Sequence, residues 1–422
     1  MADKSGPQAA AGRAPEADRP EAVRNIVLVG HSGAGKTTLV EALLATTGTI
    51  QRAGRVEEGT TVSDHDEVEV RQQRSVNLAL APIGYGDVKV NLLDTPGYAD
   101  FVGDLRAGLR AADAALFVVS AVDGVDGLTR ILWDECAAVS MPRAVVITKI
   151  DQQRGDFDDV LLACQDAFGE GVLPCYFPLQ TGDGVTEGPT GLIGLLSQRC
   201  FDYSTGARTE RSPGPEFLER IEEQRSALIE GIIQESEDET LMDRYLSGED
   251  IDVKVLIEDM EKAVARGSFF PVLTTSVPHG DHPGPVIGME ELLEVITEAF
   301  PSPLEHGVPS VSGIDGKPAA DITCDPDGPL VAEVIKTASD PYVGRISMVR
   351  VFSGTLRPDI TVHVSGHGMA ERGHEDHDLD ERVGALTAPL GKTQRTIGEC
   401  VAGDICAVAK LTHAETGDTI SD

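Results

Sequence analysis

The run Gly30-His31-Ser32-Gly33-Ala34-Gly35-Lys36-Thr37 follows the apolar segment 25–30 and opens the segment 36–45, where Val40, Leu43 and Leu44 recur at helical spacing. It matches G-x-x-x-x-G-K-[ST] in the strand–turn–helix setting that gives the pattern its meaning. Glycine-rich backbone lets the N–H groups of this turn, from His31 to Thr38, wrap a phosphate chain, and the helix N-terminus behind them adds a favourable dipole. The Lys36 ammonium is placed to reach β- and γ-phosphates, and the Thr37 hydroxyl to bind Mg²⁺. A nucleoside triphosphate with Mg²⁺ is therefore the expected ligand.

Three more apolar runs, 88–94, 114–121 and 144–148, have the near-continuous character of strands covered on both faces. Segments 101–112 and 127–138 read as helices, and 271–275 followed by 290–300 reads as a last strand and helix. This alternation predicts an α/β P-loop domain over 23–303, a mostly parallel sheet with helices on both faces. An α+β insertion is expected at about 155–265, with short strand-like runs over 157–209 and helices over 216–265. The helical part holds 16 acidic residues against 5 basic ones, which reads as a solvated face or as a docking surface for a basic partner. After Pro301-Ser302-Pro303, the β-type runs 330–336, 345–352, 360–364 and 401–411 predict an all-β barrel over 304–422. Residues 1–22, which lack both periodicity and an apolar core, predict a disordered tail and no signal peptide.

Two further motifs stand at strand ends. Asp94-Thr95-Pro96-Gly97 puts a carboxylate where it can hold Mg²⁺ through water and a glycine whose N–H can face the γ-phosphate. Thr148-Lys149-Ile150-Asp151 resembles N-K-x-D. There the Asp carboxylate accepts hydrogen bonds from the guanine ring N–H and exocyclic amine, a pair that adenine does not offer. Leaving such a buried polar group unpaired is costly, so one carboxylate selects the base. Lys149 packs its stem on the base, and Ser276, just after the strand at 271–275, is expected to offer backbone N–H to the guanine oxygen. The expected nucleotide is thus GTP or GDP.

Composition narrows the partners. A formal charge of −35 opposes nonspecific adhesion to DNA or to an anionic membrane, yet leaves room for a local basic patch. No run reaches the roughly 20 apolar residues that span a bilayer. Seven cysteines without C-x-x-C spacing suggest neither a disulfide framework nor a zinc site, and fit reduced thiols in the cytoplasm. His363, His367, His374 and His377 lie in an acidic stretch whose spacing fits no standard zinc pattern, so an exposed hairpin loop is expected there, with a metal site as the alternative.

The motif order, the run Asp94-Thr95-Pro96-Gly97-Tyr98-Ala99-Asp100-Phe101 and the later run from Gly344 to Leu356 resemble bacterial elongation factor G. So do Ala402-Gly403-Asp404-Ile405 and Thr416-Gly417-Asp418-Thr419. An insertion together with a following barrel favours this family over the elongation factor Tu branch. The resemblance implies a ribosome-associated GTPase whose barrel touches ribosomal RNA and whose acidic insertion meets the ribosomal stalk protein. Lys36, Gly97 and residue 98 would form the catalytic set.

Three positions depart from the family pattern. Tyr98 replaces the histidine that follows Asp-Thr-Pro-Gly, and a phenol neutral near pH 7 supplies no imidazolium. Arg74-Ser75-Val76-Asn77-Leu78 stands for Arg-Gly-Ile-Thr-Ile, which puts Asn77 where a Mg²⁺-binding threonine is expected, with Ser75 an out-of-register substitute. Thr148 replaces the asparagine of N-K-x-D, an amide that ties the base loop to the P-loop. Slow hydrolysis is the resulting expectation. A GTP switch with little turnover, or a protection or recycling factor on the ribosome, is the alternative. The chain stops where the family's second domain ends, which reads as a fragment of a longer protein.

Overall fold

In a computed structural model, residues 12–422 are described except 153, 181–187, 250, 279–283, 314–316, 319–321, 341–343 and 368–374. The strands of the first layer are β1 (Val23–Val29), β2 (Ala79–Tyr85), β3 (Val88–Asp94), β4 (Ala114–Ser120), β5 (Arg143–Thr148), β6 (Val172–Pro174) and, after the insertion, Phe270–Thr274. Nearly every residue of β1, β3, β4 and β5 is buried, because helices cover both faces of the sheet. Those helices are α1 (Lys36–Thr46), α3 (Val102–Ala111), α4 (Gly127–Ala138), α5 (Phe157–Phe168) and a later one, Met289–Glu298; a short α2 (Glu67–Gln72) lies on the loop between α1 and β2.

Strand order runs β2-β3-β1-β4-β5, then Phe270–Thr274, then β6. All pairs are parallel except β2–β3, a hairpin at one edge. The order reverses at β1, so the crevice between β1 and β4 at the strands' carboxyl ends is where an open α/β sheet binds ligands. The P-loop leaves β1 at that point.

The insertion begins later than the sequence suggests. Residues 157–168 are helix, not strand-like runs, and β6 joins the main sheet. Packing explains why: Trp133 of α4 stacks on Phe168 of α5 at 4.2 Å and meets Phe270 and Phe117 edge-on at 4.8 and 4.9 Å, with the Arg143 guanidinium 4.5 Å from the Trp133 ring centroid. What departs from the sheet is a separate antiparallel layer, β7 (Tyr176–Leu179), β8 (Gly191–Gly194), β9 (Arg199–Asp202) and β10 (Thr209–Arg211), followed by α6 (Leu218–Gln234), α7 (Thr240–Leu246) and α8 (Val253–Ala265). The chain then returns as β11 (Phe270–Thr274) and α9 (Met289–Glu298). Tyr203 donates to Glu291 of α9 at 2.7 Å, and Arg208 pairs with Glu290, Glu291 and Glu294, which fastens the small sheet to that helix.

The C-terminal part is all β among the described residues beyond the single-turn helix α10 (Pro303–His306). Its strands β12 (Val331–Asp340), β13 (Gly344–Ser353), β15 (Thr361–Gly366), β16 (His377–Arg382), β17 (Leu386–Leu390), β18 (Thr393–Thr396), β20 (Ile405–Ala409) and β21 (Thr419–Ser421) form one antiparallel sheet, and β14 (Thr355–Leu356) pairs with β19 (Cys400–Val401). The expected single run 401–411 is split, with Gly403 turning between β19 and β20. Val334, Val349, Val351, Leu356, Val364, Leu386, Cys406, Val408 and Ile420 fill a core of their own.

Part of the tail expected to be disordered is ordered. Residues 1–11 lie outside the described residues, but Ala14 is buried in the core of the β domain, and Pro20 and Ala22 are buried in a turn leading into β1. Composition misled here because a few small apolar residues suffice once a neighbouring surface covers them.

The two domains share a dry polar seam. Lys89 pairs with Asp404 at 2.7 Å with both side chains at most 2% exposed. Asn91 donates to Asp404 at 2.9 Å and to Asn25 at 2.8 Å, and Asn25 donates to Asp113 at 2.6 Å and to the Gly403 carbonyl at 2.8 Å. Arg350 of β13 closes the chain with two bonds to Asp113 at 2.8 and 3.1 Å. Charges taken out of water are tolerated when hydrogen-bonded partners surround them, as they do here.

Candidate nucleotide site

One cavity of about 410 Å³ lies at the carboxyl end of β1, walled by Ser32, Gly33, Gly35, Lys36, Thr37 and Thr38, by Asp64, Arg74 and Ser75, by Gly97 and Tyr98, and by Thr148, Lys149, Thr275 and Val277. The tertiary fold thus brings together three motifs spread over more than 100 residues of the chain. Gly35 caps α1 with φ at +99°, a left-handed value that glycine adopts without strain, and no side chain caps that helix end. The first-turn N–H groups therefore face the cavity, as a phosphate site requires.

Lys36 lies under the loop it serves. Its ammonium donates to the Gly30 carbonyl at 2.7 Å and to the His31 carbonyl at 3.1 Å, and burial pulls its pKa down to about 8. His31 turns its Nδ1 onto the Ser32 carbonyl at 2.7 Å. The Ala34 carbonyl accepts from the Thr148 hydroxyl at 2.7 Å. That bond corrects the expectation that Thr148 loses the tie between base loop and P-loop. A hydroxyl on a shorter stem reaches the same loop.

Thr37, Ser75, Asp64 and Asp94 form the polar floor. The Thr37 and Ser75 hydroxyls are 3.1 Å apart. Asp94 is 1% exposed and Asp64 4%; neither oxygen of Asp94, nor Asp64 Oδ2, has a partner in full hydrogen-bond geometry, while the Thr37 and Ser63 hydroxyls act on Asp94 and the Ser75 hydroxyl on Asp64. Burial pushes the Asp94 carboxyl up to about 6 against the pull of the Lys36 charge, and burial together with the Asp94 charge pushes Asp64 up to about 7 against the Ser75 hydroxyl. Buried oxygen atoms without donors are the chemistry a hard divalent cation completes, so these residues fit Mg²⁺.

Asn77 does not belong to that floor. Its N–H and side-chain amide donate to Glu69 at 3.0 and 3.3 Å, while its Oδ1 accepts from Lys336 of β12 at 3.3 Å. Lys336 also pairs with Asp104 of α3. The expected metal ligand is therefore turned towards the β domain, and Ser75 takes the place beside Thr37. The reason is local: Glu69 accepts from Val76 and Asn77 N–H and fixes the loop so that the inward side chain lies two residues earlier than the apolar frame of Val76 and Leu78 suggests.

At the base end, Asp151 Oδ1 is buried without a protein partner, and Lys149 sits at φ +60° with its ammonium 3.6 Å from Asp123. Ser276 differs from expectation. Its N–H donates to the Ile287 carbonyl at 3.1 Å, so it is already committed, and the neighbours Thr275 and Val277 line the cavity instead.

Gly97 packs directly on the P-loop. A methyl group added there would lie 2.5 Å from the Ser32 nitrogen and 2.6 Å from the His31 carbonyl carbon, both backbone atoms. Gly97→Ala should therefore leave GDP affinity intact and lower GTP hydrolysis by about 100-fold, since a displacement near 1 Å at a reacting centre costs that much. Equilibrium GDP binding beside single-turnover hydrolysis measures both. Tyr98 is 39% exposed at the cavity mouth; hydrogen bonds from Ser32 and then Arg74 lower its hydroxyl pKa, and the Arg74 guanidinium lies 4.9 Å from its ring centroid. Asp64 escaped the sequence reading, and Arg74 entered it without a role, because residues 56–75 carry no periodicity that marks an inward-facing side chain.

In the histidine-rich stretch, His363 and His367 pair with Asp378 and Asp380, and His377 with Asp418. His374 lies outside the described residues. No group of three or more His, Cys, Asp or Glu side chains that could hold an ion occurs among the described residues, and no helix among them is long and apolar enough to cross a membrane.

Fold and site together are those of the P-loop GTPase class. The family model described as the elongation factor Tu GTP binding domain matches residues 21–302, and that of elongation factor G domain 2 matches residues 329–422. An elongation factor G-like protein of Mycobacterium tuberculosis is 59% identical over all of this chain and 58% of its own length. Elongation factor G of Mycoplasma pneumoniae is 29% identical over 94% of this chain and 55% of its own. A crystal structure of a Thermus thermophilus protein superposes with a TM-score of 0.79 at 35% identity, covering 95% of this chain and 54% of that one. The chain belongs to the elongation factor Tu GTP-binding-domain family, in its elongation factor G-like form. It spans little more than half the length of the relatives it matches.

Proposed function

We propose that this chain binds GTP and GDP with Mg²⁺ in the cavity at the end of β1, and serves in the cytoplasm as a ribosome-associated translational GTPase whose intrinsic hydrolysis is slow. The observation that carries the reading is a set of buried carboxylate oxygens without a hydrogen-bond partner: Asp64 in the wall of the cavity that the P-loop lines, Asp94 at the end of β3 and Asp151 after β5. The chemistry that Mg²⁺ would supply when bound is to offset the phosphate charge. Thr37 and Asp94 are the groups that would hold it. Lys36 and the loop N–H groups orient the phosphates, and Asp151 with Lys149 selects guanine.

Slow turnover follows from residue 98. Its phenol is held by Ser32 and Arg74 and carries no positive charge to place against the transferring phosphoryl group. Contact with ribosomal RNA through the β domain, and with the stalk protein through the acidic helices α6 to α8, rests on the family alone. Single-turnover hydrolysis with and without ribosomes tests the proposal. We expect guanine over adenine selectivity, a low intrinsic rate, and a rise of about tenfold or more in Tyr98→His. A rate in Tyr98→His no higher than in the parent would move the cause of slow turnover away from residue 98. Absence of any ribosome effect would favour a GTP switch that hardly turns over.

A further inference from the structure

We infer that the loop between α1 and β2 supplies its share of the Mg²⁺ shell through Asp64 and Ser75, so that a carboxylate replaces the neutral side chain at position 77. The inference rests on the nucleotide reading above and concerns which residues of this chain complete it.

The loop path makes Asp64 an inward-facing group. Glu41, on α1 and 1% exposed, accepts from the N–H groups of Gly54 at 2.7 Å and Val62 at 2.5 Å, which pins the first limb of the loop to the P-loop helix. Glu69 pins the second limb through Val76 and Asn77. Between these anchors Asp64 and Ser75 both line the cavity, and Ser75 reaches the Thr37 hydroxyl at 3.1 Å. Asp64 is 4% exposed, and its Oδ2 has no partner in full hydrogen-bond geometry.

Charge counting supports the same point. Lys36 offsets one of the two buried carboxylates; the other is stable in a dry site as the neutral acid or, ionised, beside a further cation such as a bound divalent ion. Hydroxyls of Thr37 and Ser75 and carboxylates of Asp64 and Asp94 are hard oxygen donors, the set that suits Mg²⁺ with its retained waters. Asn77 has spent its amide on Glu69 and its oxygen on Lys336, and lies outside the set.

The test uses the full chain loaded with fluorescent GDP or GTP. The Mg²⁺ concentration that half-suppresses nucleotide release is read for the parent, Asp64→Asn, Ser75→Ala and Asn77→Ala, and Mn²⁺ electron paramagnetic resonance reports the number of water ligands. Asp64→Asn should raise the half-effective Mg²⁺ about 10- to 100-fold and change the Mn²⁺ spectrum, with release in excess EDTA unaltered. Asn77→Ala should leave the Mg²⁺ requirement as it is. A shift in Asn77→Ala with none in Asp64→Asn overturns the inference. If Asp64→Asn does not fold, an unshifted Ser75→Ala overturns it equally. A parent chain that binds no guanine nucleotide would instead refute the underlying functional reading, and is distinguishable because no variant comparison is then needed.

Discussion

Asp151→Asn should lower GTP affinity by roughly two to three orders of magnitude and improve the binding of xanthosine triphosphate. Guanine presents two donors, its ring N–H and exocyclic amine, and a carboxylate accepts both. An asparagine amide opposes one of those donors with its own N–H₂. The lost charge-assisted bonds are worth about 3–4 kcal/mol in a site closed to water, where each tenfold step is about 1.4 kcal/mol. Xanthine carries a carbonyl in place of the amine, so the same amide then finds an acceptor. Asp151 Oδ1 is buried and lacks a protein partner, which leaves nothing else in the fold to compensate. Competition of GTP, ATP and xanthosine triphosphate against a fluorescent guanine nucleotide measures the exchange of preference. An unaltered order would refute the assignment of residue 151 to the base.

The second large effect concerns the seam between the domains. Asp404→Ala removes the partner of Lys89, an acceptor of the Asn91 amide and an acceptor of the Ile405 N–H in one step. Lys89 is 2% exposed and has no water to turn to. An uncompensated buried ammonium costs about 3–5 kcal/mol, so the denaturant midpoint should fall by that equivalent. Because the pair repays desolvation and adds little more, the double variant Lys89→Met with Asp404→Leu should regain most of the loss. Equilibrium unfolding monitored at the single tryptophan, Trp133 in the nucleotide domain, reads both. A double variant as unstable as Asp404→Ala would show that Asn91 and Arg350, rather than the ion pair, hold the seam.

These two predictions draw on different kinds of residue. Asp151, like Lys36, Thr37, Asp94 and Gly97, was legible because each stands at the end of an apolar strand, beside a glycine or a short polar motif. Lys89 carries no such mark, and Asp404, though within the run Ala402-Gly403-Asp404-Ile405, has none that points to a buried ion pair. An Asp before a strand and a Lys within one read as solvent-facing, and only the meeting of β3 with the turn before β20, more than 300 residues apart, removes them from water. The late start of the insertion has the same origin: Phe168 and Phe270 are apolar in any reading, but stacking on Trp133 is what assigns α5 and β6 to the main layers.

The P-loop, its strand-end carboxylate and the base-reading Asp151 could be placed from the chain alone, because strand, turn and helix are contiguous and geometry follows from neighbours in sequence. The alternation of apolar runs placed the α/β layers and the β domain for the same reason. Which side chain of residues 60–78 faces the metal site could not be read that way. A loop without periodicity takes its path from anchors that no pattern marks, here Glu41 and Lys336 on other elements and Glu69 within the loop itself. Those anchors turn Asn77 out and Asp64 and Ser75 in; other long-range bonds commit the Ser276 N–H to Ile287 and let Thr148 hold Ala34 with a hydroxyl. Such bonds join residues that the sequence keeps apart, and they exist only once the layers and domains have packed.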